Sequence, residues 1–150
     1  MGKISRKNLI LLVLSVSLVI GAVLAGGCTG QETQIIESIT PEEALALVQE
    51  NQDNPDFVIL DLRFPESFAY KHIKGAINIE YLSQNFRDEL EKLDRDKTYL
   101  VYSGYSCGNV GPQVLDMMKE LNFREVYSMT DMCYGQELEG FPTEGEGVNQ

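Results

Sequence analysis

Three cysteines and one histidine, Cys28, Cys107, Cys133 and His72, are the side chains with which this 150-residue chain could do nucleophilic or soft-metal chemistry. Cys107 has the most suggestive setting. It lies in the run Ser103-Gly104-Tyr105-Ser106-Cys107-Gly108-Asn109-Val110-Gly111, whose three glycines open backbone paths closed to other residues. The run leaves the β-branched and aromatic stretch Thr98–Tyr102 and enters a helix expected to start at Pro112. Free N–H groups and the dipole at a helix N-terminus favour a thiolate, the form of cysteine that attacks. Ser103 offers no substitute, because a hydroxyl without a neighbouring base keeps its proton. A zinc site takes about four N or S ligands, or three plus water, so no metal centre is expected from so few scattered candidates.

The elements that must position this loop follow from local pattern. Thr40-Pro41-Glu42-Glu43 reads as a capping box with proline at the first helical position, opening a helix to about Glu50 that buries Ala44, Leu45, Leu47 and Val48. Residues 57–60, a continuous apolar run too short for a helix, predict a strand buried on both faces. Asp61 and Arg63 stand at its end and are read as a pair fixing the strand-to-loop turn, since buried charges persist only when paired. His72 is read in the same structural sense. Residues 76–79 predict a further strand, and Phe86, Leu90 and Leu93 recur at helical spacing. Beyond the loop, Val114, Leu115, Met118 and Leu121 share one helix face, with methionine as core filler. Glu125–Met129 predicts a last strand and 133–139 a final helical turn before Pro142. Strands alternating with helices imply one α/β domain with a mainly parallel sheet.

At the other end, Lys3, Arg6 and Lys7 precede an apolar run of 17 residues from Leu9 to Ala25. A basic segment followed by an apolar one reads as an export signal, or as a short membrane anchor. The run ends in Leu24-Ala25-Gly26-Gly27-Cys28, which resembles the lipobox of prokaryotic lipoproteins and implies lipidation at Cys28. Residues 1–27 are thus assigned to a signal peptide or anchor, 28–35 to the lipidated Cys and a polar tether, and 36–150 to the folded domain. This places the domain outside the cytoplasm at a membrane surface. Twelve Lys plus Arg against 23 Asp plus Glu leave a net charge of −11. Such a chain repels phosphodiester backbones, so nucleic acid is excluded as a partner.

The segment Asp61-Leu62-Arg63-Phe64-Pro65-Glu66-Ser67-Phe68, continued by His72-Ile73-Lys74-Gly75-Ala76-Ile77-Asn78, resembles the first half of a single-domain rhodanese. The family pattern is Asp-x-Arg, then Glu-Phe or Glu-Tyr, then Gly-His-Ile-x-Gly-Ala-x-Asn, with Lys71 here where Gly is usual. The resemblance implies a parallel five-stranded sheet flanked by helices on both faces. It also implies sulfur transfer through a Cys persulfide with no cofactor, the partner being a small sulfur-donor molecule or a protein thiol acceptor. In that family the nucleophile directly follows the fourth core strand. Aligned from the strand it falls on Ser103, and aligned backward from the helix it falls on Tyr105, so Cys107 matches neither register.

Cys107 is nonetheless the catalytic candidate. Ser103, Gly104, Tyr105, Ser106, Gly108, Asn109, Val110 and Gly111 form the substrate-binding loop, with Asp61 and Arg63 in support. In the resembling fold the turn at 129–133 packs beside that loop, which implies a Cys107–Cys133 disulfide. Three readings stay open: a sulfane-sulfur carrier, an inactive rhodanese fold that binds a partner, and a thiol-disulfide redox protein using Cys107 and Cys133.

Overall fold

A strand covered by helices on both sides must be apolar at every position, whereas one covered on a single side alternates. Residues 57–60 and 99–102 meet the first condition, and the strands that contain them, Phe57–Asp61 and Thr98–Tyr102, form the middle of the sheet. The computed structural model describes residues 33–104, 110–129 and 138–149, all within the unit Thr33–Gln150. In chain order the elements are β1 (Ile35–Ile39), α1 (Pro41–Glu50), β2 (Phe57–Asp61), α2 (Pro65–Tyr70), β3 (His72–Ile73) and β4 (Ile77–Asn78). They continue with α3 (Phe86–Glu91), β5 (Thr98–Tyr102), α4 (Val110–Glu120), β6 (Glu125–Met129), β7 (Thr143–Glu144) and a 3₁₀ turn, Glu146–Asn149.

The five-stranded sheet has the order β1-β6-β5-β2-β4, and every pairing in it is parallel. Successive side chains of β5 point to opposite faces, as the period of a strand requires. Tyr99 and Val101 join Leu60, Val126, Val114, Met118 and Phe123 in one core. Leu100 and Tyr102 join Ala44, Val48, Ile59, Ile73 and Met129 in the other. Each fully buried side chain of this size contributes about 1.5–3 kcal/mol. The expected α/β sheet with helices on both faces is therefore the observed one.

Local expectations hold where caps and apolar runs are strong. Thr40 Oγ1 accepts from Glu43 N and the Glu43 carboxylate accepts from Thr40 N, closing the capping box. Val114, Leu115, Met118 and Leu121 are all buried. Other boundaries move. Residues 76–79 give only the two-residue β4, and β2 runs one residue further, to Asp61. The helix expected from Pro112 opens at Val110, so Val110 and Gly111, assigned to the binding loop, belong to its first turn.

Ile35, the last tether residue in the reading above, is the first residue of β1. Gln34 Nε2 already donates to the carbonyls of Lys119 and Phe123 at 3.2 and 2.8 Å. Ile-Ile-Glu-Ser-Ile escapes a pattern search because an edge strand keeps a Glu and a Ser exposed. The antiparallel pair β3–β7 joins residues about seventy positions apart, which no local pattern announces. Of the helical turn expected at 133–139, residues 133–137 lie outside the described residues, and 138–140 form a turn.

Tyr99 offers a pH test of this core. It is 1% exposed, donates to the Asp94 carbonyl at 2.7 Å, and meets Phe123 edge to face. Burial first, and the charge of Asp94 second, push its hydroxyl up to about 12. An unfolded tyrosine titrates near 10. The folded state thus holds a proton that the unfolded state loses, and stability is full below about pH 10 and falls as pH rises toward about 12. Urea midpoints measured across that window should fall less steeply in Tyr99→Phe than in wild type. Equal slopes would remove Tyr99 from the account.

Candidate active site

Parallel register sets Asp61 beside Tyr102 at the carboxyl ends of β2 and β5, the end at which open α/β sheets place their ligands. Asp61 is fully buried, so its carboxylate must find donors within the protein. Arg63 N and Nε donate to Asp61 Oδ1 at 2.9 and 3.0 Å, and Arg63 Nη2 donates to Oδ2 at 2.6 Å. Tyr102 Oη donates to the same Oδ2 at 2.6 Å and accepts from Ile73 N at 3.2 Å. Arg63 Nη2 also reaches the Lys71 carbonyl at 2.6 Å, and its guanidinium lies 5.4 Å from the Tyr102 ring centre. Burial, then the Asp61 charge, push the Tyr102 hydroxyl far above its ordinary range. It is a fixed donor.

This cluster holds the turn after β2. Asn78 Nδ2 donates to the carbonyls of Asp61 and Arg63, both at 2.9 Å, and tightens the turn from the β4 side. Asp61 and Arg63 thus form a buried ion pair at the end of β2. His72 is also engaged with its neighbours. Its ring stacks on Phe68 at 3.8 Å, its Nδ1–H donates to the Phe68 carbonyl at 2.7 Å, and its Nε2 lies 3.4 Å from the Glu144 carboxylate. The Gly75 N–H, more than His72, holds that carboxylate below its usual range.

Directly above the cluster the chain continues from Tyr102 into Ser103, which is half-buried, and Gly104, which is buried. It re-enters at Val110 and Gly111 in α4, where the Tyr81 hydroxyl donates to the Gln113 side chain. Tyr105, Ser106, Cys107, Gly108 and Asn109 lie outside the described residues, as do Cys28 and Cys133. The proposed bridge, lipid site and nucleophile accordingly rest on sequence. Among the described residues, no three His, Cys, Asp or Glu side chains gather in a way that could hold a metal ion. None of the described helices is long and apolar enough to cross a membrane.

Two buried hydroxyls escape a reading of the sequence. Tyr102 looks like one more aromatic strand residue, and only its place immediately before the glycine-rich run hints at more. Ser128, buried on β6 against Gly111 of α4, carries no local signal at all.

A family model described as Rhodanese-like domain matches residues 40–131. Thiosulfate sulfurtransferase GlpE of Haemophilus influenzae is 30% identical over 95 residues, covering 62% of this chain and 80% of that protein. The protein of the same name from Coxiella burnetii is 30% identical over 93 residues, covering 62% of this chain and 79% of that one. Among solved structures, a rhodanese-related protein from Thermoplasma volcanium aligns with a TM-score of 0.56 at 25% identity, covering 73% of this chain and 99% of that chain.

The Asp61 cluster makes a direct prediction. Tyr102→Phe keeps the ring and deletes the donor, leaving Asp61 Oδ2 short of one partner and Ile73 N without its acceptor. The variant should lose about 1–3 kcal/mol in urea denaturation. A loss below about 0.5 kcal/mol, the range of ordinary surface substitutions, would show that the cluster does not depend on this bond.

Proposed function

Because the chain belongs to the rhodanese-like domain family, we propose that it handles sulfane sulfur, with Cys107 as the carrier. The match over residues 40–131 supports the reading, together with the presence of a thiol in the run that joins β5 to α4. The curated relatives are thiosulfate sulfurtransferases by name. In this reading the Cys107 thiolate attacks the outer sulfur of the donor. One S–S bond forms and another breaks, the leaving group departs with the electron pair of the broken bond, and Cys107 carries a persulfide. With thiosulfate the leaving group is sulfite. Attack on the outer persulfide sulfur by an acceptor thiolate then forms the acceptor's persulfide and returns Cys107 as a thiolate. No net redox change occurs, so no cofactor is needed.

The displaced register of Cys107, with Ser103 following β5 directly, favours a second reading in which the fold binds a partner without transferring sulfur. Purified protein exposed to thiosulfate or to a low-molecular persulfide separates the two. The first reading requires a mass increase of one sulfur atom, reversed by a thiol and absent in Cys107→Ser. An adduct that persists in Cys107→Ser but disappears in Cys133→Ser would move the carrier role to Cys133. The absence of any adduct on reduced wild-type protein leaves the binding module. Reduction must come first, because a Cys107–Cys133 bridge would mask the nucleophile.

The basic and then apolar N-terminus ending at Cys28 supports attachment to a membrane, through a lipid on Cys28 or an uncleaved helix. Expressed in a bacterial host, wild-type protein should sediment with membranes and gain the mass of a lipid. Cys28→Ala should lose that mass. If the variant is processed and retained as wild type is, lipidation at Cys28 is wrong.

A further inference from the structure

A cavity of about 410 Å³ opens beside the end of α1 and the start of β2, where Phe57 stands about 13 Å along the strand from Asp61. Its size is that of a small-molecule site, about 300–1,000 Å³. Part of the lining is apolar: Val48 and Ile59 are buried, and Phe57 and Pro142 half-buried. Another part is the turn after α1, which is held from within. Asn51 Nδ2 donates to the Leu47 carbonyl and Asn54 Nδ2 to Asn51 Oδ1, both at 2.9 Å, and Asn54 Oδ1 accepts from Asp56 N at 3.0 Å. Asp53 lies in the same turn and also lines the cavity, but its exposed carboxylate makes no hydrogen bond or ion pair among the described residues. Lys74, between β3 and β4, lines the cavity as well, and its ammonium is equally without such a bond. Glu144 feels the charge of Lys74, yet that carboxylate is already bonded to the Gly75 N–H at 2.9 Å. The cavity therefore carries one carboxylate and one ammonium, on separate elements and not paired with each other, beside an apolar wall.

We propose that this cavity binds a free α-amino acid with a large apolar side chain. Lys74 meets its carboxylate, Asp53 its ammonium, and the wall of Val48, Phe57, Ile59 and Pro142 its side chain. Opposite charges left unpaired in one cavity select a zwitterion, because a ligand with a single charge is attracted by one of them and repelled by the other. The wall selects the side chain, since binding gains with the apolar area removed from water. A turn already fixed by its own hydrogen bonds keeps the ordering cost of binding low. The proposal is independent of the sulfur-handling reading, because no lining residue belongs to the run around Cys107.

The test is isothermal titration calorimetry on the full-length chain at about pH 6, where an α-amino group is protonated. Four probes divide the ligand into its parts: L-leucine, L-leucinamide without the carboxylate, 4-methylpentanoate without the ammonium, and glycine without the side chain. Leucine should bind saturably with a Kd below about 10 mM, and each of the others about tenfold more weakly. Lys74→Gln should abolish the advantage of leucine over leucinamide and keep its advantage over 4-methylpentanoate. Asp53→Asn should do the reverse. Both side chains are exposed, so urea midpoints should match wild type.

The absence of saturable leucine binding would overturn the proposal. So would leucinamide, 4-methylpentanoate or glycine binding as tightly as leucine, or either folded variant keeping the wild-type order of affinities. Should a variant show a lowered midpoint, the four-probe series on wild-type protein decides the question by itself.

Discussion

A carboxylate with no exposure to solvent is the constraint around which the site end of this domain is arranged. Taking Asp61 out of water costs several kcal/mol, and an ion pair recovers that only if its geometry is good and the remaining lone pairs are met. Here they are met by groups from separate parts of the chain: the backbone and guanidinium of Arg63 and the hydroxyl of Tyr102. Each donor is tied onward, Arg63 to the Lys71 carbonyl and Tyr102 to Ile73 N. The end of β2, the end of β5 and the start of β3 are thereby held in one arrangement. Such a pair adds little net stability over a well-packed apolar cluster, and its value is in specifying that arrangement.

The rest of the fold delivers the chain to this point. β2 and β5 are apolar on both faces because α1 lies over one side of the sheet and α3 and α4 over the other, and parallel pairing brings their carboxyl ends to one edge. Ser103 and Gly104, which follow Tyr102, therefore leave the sheet next to the Asp61 cluster. The run that contains Cys107 is anchored at both ends by buried structure: Tyr102 and Gly104 on one side, Gly111 against Ser128 on the other.

Charge distribution bears on chemistry at the same place. Among the described residues, Arg63 at the site donates to Asp61, and the sequence from Ser103 to Gly111 contains no Lys or Arg. On the sulfur-handling reading proposed above, an anionic donor finds no Lys or Arg in that run to attract it.

Sequence alone determined the features whose physics is local. The capping box of α1, the doubly apolar β2 and β5, the buried face of α4 and the pairing of Asp61 with Arg63 depend on neighbours within a few positions. The tertiary structure decided whatever depends on distant neighbours. Ile-Ile-Glu-Ser-Ile becomes β1 because the edge of β6 is open to it, although its own exposure pattern is too polar to announce a strand. His72 and Glu144 meet because the chain's end folds back onto β3. The start of α4 moves from Pro112 to Val110, since packing on β6 outweighs the poor helix propensity of Gly111, and proline is tolerated anywhere in a first turn. Tyr102 acquires its role only when parallel pairing brings Asp61 against it, because a hydroxyl has no preferred partner until the fold supplies one.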